Sequence, residues 1–436
     1  MLAVSVVIFA AACAIYLRQP NASVFHPATF YLAFHGLVFV IRPIFAWHYR
    51  YDNIYGFIGF RPSLWERTQV LICTNLGLVA FMAVVLWMTR ERFAFPAADP
   101  RNDGREALLR RFWIVAVPLA ALAAWSLYWR WDAIAGAVGF SQMDPRTGEQ
   151  RLVGVTGYFY EAARISAPVG AMLAYLGRFR WWTAAPVTAL AVLQIGTGGR
   201  GDFVAMAVMI ALLFMYDRRL KWPSVWVMAA ALAVLPVFHF VKSDRGAFLR
   251  EALRPGVTDL APDRRFDDAP LETMDIAHME FFEYLVWAIP KRTGTYDYFA
   301  NNLELVTAPI PRAVWPDKPI GAPVKRFELY ENTRPIAITH SLPGMGWYNA
   351  GYAGVVLWCA LFAAIYGAGF RAFARSGRGP LAAMAYVAFL ATATIAFRDG
   401  MLQTLARQLV PYGLPILALS LLVRFGPRED PDVQAG

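Results

Sequence analysis

Four short polar stretches carry the residues best suited to chemistry. GTGGRGDF (196–203) sets Arg200 and Asp202 in a glycine-rich turn. Glycine tolerates tight and left-handed backbone, so Arg200 and the free N–H groups opening the next helix could converge on an anion such as phosphate. The same pattern also suits a tight helical hairpin with a snorkelling arginine. IPRAVWPDKP (310–319) projects Arg312, Asp317 and Lys318 from a proline-stiffened backbone. Two cations on a rigid loop suit a polyanionic head group, although Asp317 could simply pair with Arg312 or Lys318. HSLPGMGWYNAGYAGVV (340–356) offers His340, whose near-neutral imidazole can accept a proton from a hydroxyl. Trp347 and Tyr348 could stack on a pyranose face, and His340 could equally be a helix-capping histidine. FRDGMLQTLARQ (397–408) brings Arg398, Asp399 and Arg407 together. Arg164 stands apart inside an apolar stretch, where a charge is costly and faces a cavity or a partner. Glu161, three residues away on one helix face, is the simplest such partner.

The elements that must position these residues are membrane helices. The chain has 436 residues, is 58% hydrophobic and only 17% charged, outside the range of soluble domains. Its apolar residues fall in blocks of about twenty. Spans are expected at 2–17, 27–46, 68–89, 112–129, 155–176, 181–197, 202–216, 222–241, 347–370, 381–397 and 405–423. The fold class is therefore an all-α polytopic integral membrane protein of about eleven transmembrane helices, a single domain over 1–436. The N-terminus reads as a first helix, with a signal peptide as the lesser alternative.

The net charge of +10 resides mostly in short loops and reads as a topology signal, not a nucleic-acid footprint. Arginines at 90, 92, 101, 105, 110 and 111, at 178 and 180, at 218 and 219 with Lys221, and at 371, 375 and 378 all fall on one side. By the positive-inside rule that side is cytoplasmic. The opposite side receives Arg200, Arg398, Asp399 and a long polar segment, 242–346, with no convincing span. Within it, ETMDIAHMEFFEYLVWAIPK (272–291) has helical apolar spacing with Glu272, Asp275, Glu280 and Glu283 elsewhere on the wheel, an amphipathic helix expected to lie on the outer leaflet or roof the bundle. The loops at 47–67 and 130–154 could flank a binding cleft but read more simply as aromatic anchors and solvated connectors, and the acidic tail GPREDPDVQAG (426–436) reads as disordered. Three cysteines without a CxxC pair give neither a disulfide framework nor a thiolate metal site. Asp275 and His278 share a helix face, yet no metal-ligand pattern follows. Neither metal nor cofactor is expected.

The Gly-Arg-Gly turn at an outer helix end, the Ile-Pro-Arg…Lys-Pro segment and the aromatic-Asn…Gly-Tyr-Ala-Gly stretch, together with the large loop before the last helices, resemble the Wzy-type polymerases of O-antigen and capsular oligosaccharide repeat units. Their relatives, the O-antigen ligases, share an Arg-containing turn and a loop histidine. The likeness covers mainly 196–354. It departs from the commoner pattern at Gly346, Ala350 and Gly351, where an acidic residue and Asn-Phe are often found. The resemblance implies a GT-C-type glycosyltransferase bundle at the bacterial inner membrane, with its active face periplasmic. The implied substrate is an undecaprenyl-diphosphate-linked oligosaccharide, with a chain-length regulator and a flippase as further partners and no nucleic acid.

A lipid diphosphate is a good leaving group, so catalysis mainly needs cations where charge develops, and arginine supplies them without a metal. On this reading Arg200, Arg312, Lys318 and Arg398 hold the diphosphate, Arg164 and Arg407 lie near it, and His340 is the base, with Asp202 or Asp399 in reserve. Inversion is expected. The rivals are an O-antigen ligase delivering glycan to lipid A-core and a polysaccharide transporter, for which the internal repeat common in transporters is missing.

Overall fold

The computed structural model describes residues 1–91, 93–95, 104–135, 141–143, 150–152, 157–196, 200–229, 270–310, 314–319, 321–332 and 339–425. Helices α1 (Leu2–Leu17), α2 (Pro27–His35), a π-helical turn (Gly36–Ile41), α3 (Arg42–Tyr49), α4 (Asn53–Ile58) and α5 (Leu64–Met88) form the N-terminal part. Then come α6 (Arg105–Ala135), α7 (Gly157–Ala162), α8 (Ser166–Leu176), α9 (Trp181–Gly196) and α10 (Arg200–Asp217). The C-terminal part holds α11 (His278–Ala288), α12 (Glu304–Thr307), α13 (Leu342–Arg375), α14 (Pro380–Ala391), α15 (Ala393–Asp399) and α16 (Leu402–Phe425). Between α6 and α7, Ser141–Met143 and Gln150–Leu152 pair as a short antiparallel hairpin.

Local sequence explains several of the starts. Ser63 opens α5 with a capping box, its own N–H donating to Glu66 Oε2 at 2.7 Å, which satisfies donors that a helix start leaves free. Pro27 begins α2, where its missing N–H costs nothing, and His26 Nδ1 accepts from Ala28 N at 3.1 Å. Apolar side chains then bury in two cores. One centres on α5 and α13 with α2 and α11; the other joins α6, α8, α10, α14 and α16. Phe30 and Phe389 border both.

Among the described residues, six helical segments are long and apolar enough to cross a membrane: Pro27–Tyr49, Leu64–Met88, Arg105–Leu127, Leu342–Arg375, Pro380–Asp399 and Leu402–Phe425. The protein is a multi-pass, helical membrane protein. Helices occupy ten of the eleven expected spans, six of them the segments just named; Leu2–Leu17 and Ala163–Leu176 are apolar but shorter, and Trp181–Gly196 and Arg200–Asp217 are not among the six. The remaining one, 222–241, lies largely outside the described residues, as do the tail 426–436 and the first part of the long polar segment.

The arginine-rich loops gather at one end. There Arg375 pairs with Glu91, Arg105 with Asp217 at 2.6 Å, and Arg378 donates to Ala94 O. Tyr216 Oη donates to Arg378 O at 2.6 Å, and Val24 N to Lys221 O at 2.9 Å. Asp202, Arg398, His340 and the described residues of 270–341 occupy the other end.

Two expectations fail in that second region. The 272–291 stretch is no surface lid, because α11 is buried on every face, Glu280 and Glu283 included. Each glutamate has found a distant partner, Arg42 for Glu280 and Tyr55 for Glu283. A paired or hydrogen-bonded carboxylate can enter a core that would reject it bare. For the same reason the 47–67 loop is no solvated connector: Tyr51, Ile54, Tyr55, Ile58 and Phe60 are buried, and Asn53 N donates to Glu272 Oε1 at 2.9 Å.

Candidate functional site

The site is built around a break in α13. Ala350 (φ −160°, ψ 35°) and Gly351 (φ 59°, ψ −140°) leave helical geometry, dividing a short first helix from the long second one. The first piece folds back so closely that a Cβ on Gly354 would collide with Gly346 O, and one on Gly346 would stand 2.6 Å from Val355 Cα. Only glycine permits that approach and the positive φ at 351. Asn349 is fully buried here, its Nδ2 donating to Met345 O at 2.9 Å.

Two further turns meet this element. Gly400, in the left-handed region at φ 70°, packs against the backbone of Ser341 and Leu342, and Trp358 Nε1 donates to Gly400 O at 2.6 Å. Gly201, in the first turn of α10, faces Ile395 of α15 with room for a Cβ only 3.3 Å from its Cδ1. The FRDG and HSLPG stretches thus meet through a backbone contact that a side chain would obstruct, and the start of α10 reaches the same end of the bundle through Gly201 and the Ile395 side chain.

Charged groups line this meeting point. Arg164, on the 3-10 turn Ala163–Ile165, pairs with Glu161 at 2.9 Å and approaches Asp202 at 3.8 Å. Arg398 Nε stands 3.8 Å from Asp399 Oδ1, and Thr404 Oγ1 donates to Asp399 Oδ2 at 3.3 Å. Arg164 also acts electrostatically on Asp399 and on Tyr412, which feels Asp202 and Glu161 as well. Arg164, Asp202, Arg398 and Asp399 therefore belong to one cluster. Arg398 is 40% exposed in its side chain, the more open of the two cations.

His340 lies one residue before Ser341, whose backbone touches Gly400. It is 8% exposed and its Nδ1 meets no hydrogen-bond partner among the described residues. Its ring meets Tyr348 edge-on at 5.3 Å. Burial pushes its pKa down to about 4, so as placed it is neutral at pH 7 and not the near-neutral base that its residue type alone suggests. Trp347 offers no open stacking face: it is 4% exposed, its Nε1 donates to Ile289 O at 3.1 Å, and its ring meets Tyr296 and Tyr352. Tyr348 is half-buried between His340 and Phe327.

The remaining candidates are more distant or only partly described. Lys318 Nζ donates to Ala308 O at 2.8 Å and Ile310 O at 3.0 Å, tying the proline loop to the turn before it. Arg407 pairs with Glu304 at the surface. Arg200 opens α10; its side chain, and Arg312 altogether, lie outside the described residues.

A second polar group adjoins the cluster and was missed in the sequence. Arg42 and Glu280 form a fully buried ion pair, and Arg42 Nε donates to Leu271 O at 3.2 Å. Tyr55 Oη donates to Glu283 Oε2 at 2.6 Å, and burial, reinforced by Glu280, raises the Glu283 carboxyl to about 8. His278 is fully buried on the same helix, and burial with the Arg398 and Arg42 cations lowers its pKa to about 3. Arg398 therefore couples the two groups. The rule that singles out Arg164, a charge inside an apolar span, applies equally to Arg42.

The fold and this cluster define a polytopic helical membrane protein with a group of charged side chains at one end. Compared with protein-family models, with curated proteins and with solved structures, the chain matches none. Among the described residues no group of three His, Cys, Asp or Glu could hold a metal ion.

Proposed function

We propose that the chain is a membrane glycosyltransferase of GT-C type that polymerises undecaprenyl-diphosphate-linked oligosaccharide repeat units, working at the periplasmic face of the bacterial inner membrane. The observation that supports this most is the meeting of Arg164, Asp202, Arg398 and Asp399 with the His340 loop, at the end opposite the arginine-rich loops.

In the proposed reaction an acceptor hydroxyl oxygen attacks the anomeric carbon of the lipid-linked donor. The new C–O bond forms as the bond to the diphosphate breaks, and the diphosphate leaves with the electron pair. Arg398, helped by Arg200 at the start of α10, stabilises that charge. Arg164 already faces two carboxylates, Glu161 and Asp202, which suits it to orient Asp202 more than to hold the leaving group. The acceptor proton passes to Asp399 or Asp202, while the unpartnered Nδ1 of His340 orients the hydroxyl. In this role a neutral imidazole is an advantage, because it accepts a hydrogen bond without first losing a proton.

Purified protein in nanodiscs, given a lipid-diphosphate oligosaccharide, tests the reading by the appearance of longer lipid-linked glycan. Arg200→Ala and His340→Ala variants that are correctly inserted should both lose it. Wild-type product length in both variants would place the chemistry elsewhere.

A further inference from the structure

A cation-rich cavity lies at the same end of the bundle, outside the cluster just described. Its volume is ≈ 500 Å3, and Trp47, Arg50, Tyr51, Asp52, Arg61 and Arg67 line it. That size suits a small-molecule site. The three arginines come from three elements: Arg50 follows α3, Arg61 precedes α5, and Arg67 lies in the first turns of α5. One carboxylate, Asp52, pairs with Arg61. Arg67 lies over the Tyr55 ring at 5.8 Å, and the Arg50 side chain has no hydrogen bond or ion pair among the described residues. The cavity therefore holds more positive charge than its own acid can neutralise.

Its walls are firm. Tyr51 Oη donates to Pro270 O, the Tyr51 ring lies 5.4 Å from Arg42, and Asn53 is held by Glu272. Arg42 itself is committed to Glu280 and adds no free charge to the cavity. Because the apolar segment Pro27–Tyr49 ends here and Trp47 is 79% exposed, the cavity opens at a membrane–water boundary, where exposed tryptophan concentrates.

We propose that this cavity is a phosphate-binding site, separate from the Arg398 cluster. Forked guanidinium groups fit phosphate oxygens bidentately, and three of them against one carboxylate favour a group carrying more than one charge or several acceptor oxygens. The phosphate belongs either to the head group of an anionic lipid or to a soluble phosphate compound. The proposal holds whatever reaction the Arg398 cluster performs.

The full-length protein is tested with two probes. Phosphatidylglycerol in phosphatidylcholine nanodiscs, scored by lipid retained in native mass spectrometry, reports a lipid source; inorganic pyrophosphate, scored by calorimetry, reports a soluble one. Wild type should bind at least one probe, and the surface double variant R50Q/R61Q should weaken it roughly tenfold or more, as expected for losing charge-assisted hydrogen bonds. Asp52→Asn frees Arg61 and should tighten binding, a gain that misfolding cannot imitate. In Arg398→Gln the part of the binding that R50Q/R61Q removes should persist. The proposal is overturned if wild type binds neither probe, or if R50Q/R61Q and Asp52→Asn both bind as wild type does.

Discussion

Gly400 and Ser341, fifty-nine residues apart by number, are in direct backbone contact: a Cβ on Gly400 would collide with the Ser341 carbonyl. That contact places the FRDG turn beside the His340 loop. Gly400→Ala must therefore force both a left-handed alanine, costing about 1–2 kcal/mol, and a displacement of the Ser341 backbone. The variant should melt at lower temperature than wild type in the same detergent and should lose glycan extension more severely than its stability loss alone implies. Wild-type melting and activity would show that the turn accommodates a side chain.

The Arg42–Glu280 pair gives a second expectation. Removing one partner strands a buried charge, so Arg42→Met or Glu280→Leu alone should cost roughly 3–5 kcal/mol, whereas the double variant should recover much of that loss. A double-mutant cycle on unfolding free energy measures the coupling. Additive costs would mean that the two side chains stabilise the fold independently.

Glu283 makes stability depend on pH. Its carboxyl is raised from 4.5 to about 8 in the fold, so the folded protein holds a proton that the unfolded chain releases. The contribution is fully present below about pH 4.5 and is lost as pH rises through about 8. Melting temperature should fall across that window, and Glu283→Gln, which keeps a neutral group of the same shape, should flatten the fall. A slope unchanged by the substitution would assign it to another group.

His340 behaves in the opposite sense. Burial lowers its pKa from 6.5 to about 4, so its stabilising neutral form is complete above about 6.5 and is lost as pH falls through about 4. Any part of the rate that depends on neutral His340 should therefore decline near pH 4, without an inflection near 6.5. Comparing kcat against pH for wild type and His340→Gln isolates that part. A wild-type inflection near 6.5 that His340→Gln abolishes would show that the histidine is more solvated in the working state.

The sequence carries the apolar helices and the gathering of the arginine-rich loops at one end clearly, because both depend on blocks of like residues that need no partner. It also points to the Gly196–Asp202, Arg398–Asp399 and His340 stretches, since glycine beside charge marks unusual backbone. The burial of α11 was not legible. Glu280 and Glu283 look like a solvent face until Arg42 and Tyr55, more than two hundred residues earlier, neutralise or hydrogen-bond them. Trp347 misleads for a similar reason: its sequence neighbours suggest a sugar platform, but the break at Ala350–Gly351 turns it into the core, where Ile289 O takes its indole N–H. Pairings between distant elements decide those residues, and no local pattern encodes them.

The central claim is that the arginine cluster at the Gly400–Ser341 junction serves bond formation on a lipid diphosphate. Its most direct test is single-turnover extension of a purified lipid-diphosphate oligosaccharide by wild type and Arg398→Gln in the same nanodiscs. Extension by wild type, with the Arg398→Gln rate lower by about a hundredfold as for loss of one charge-stabilising donor, is the expected result. Equal rates in the two proteins, or no extension by wild type, would contradict it.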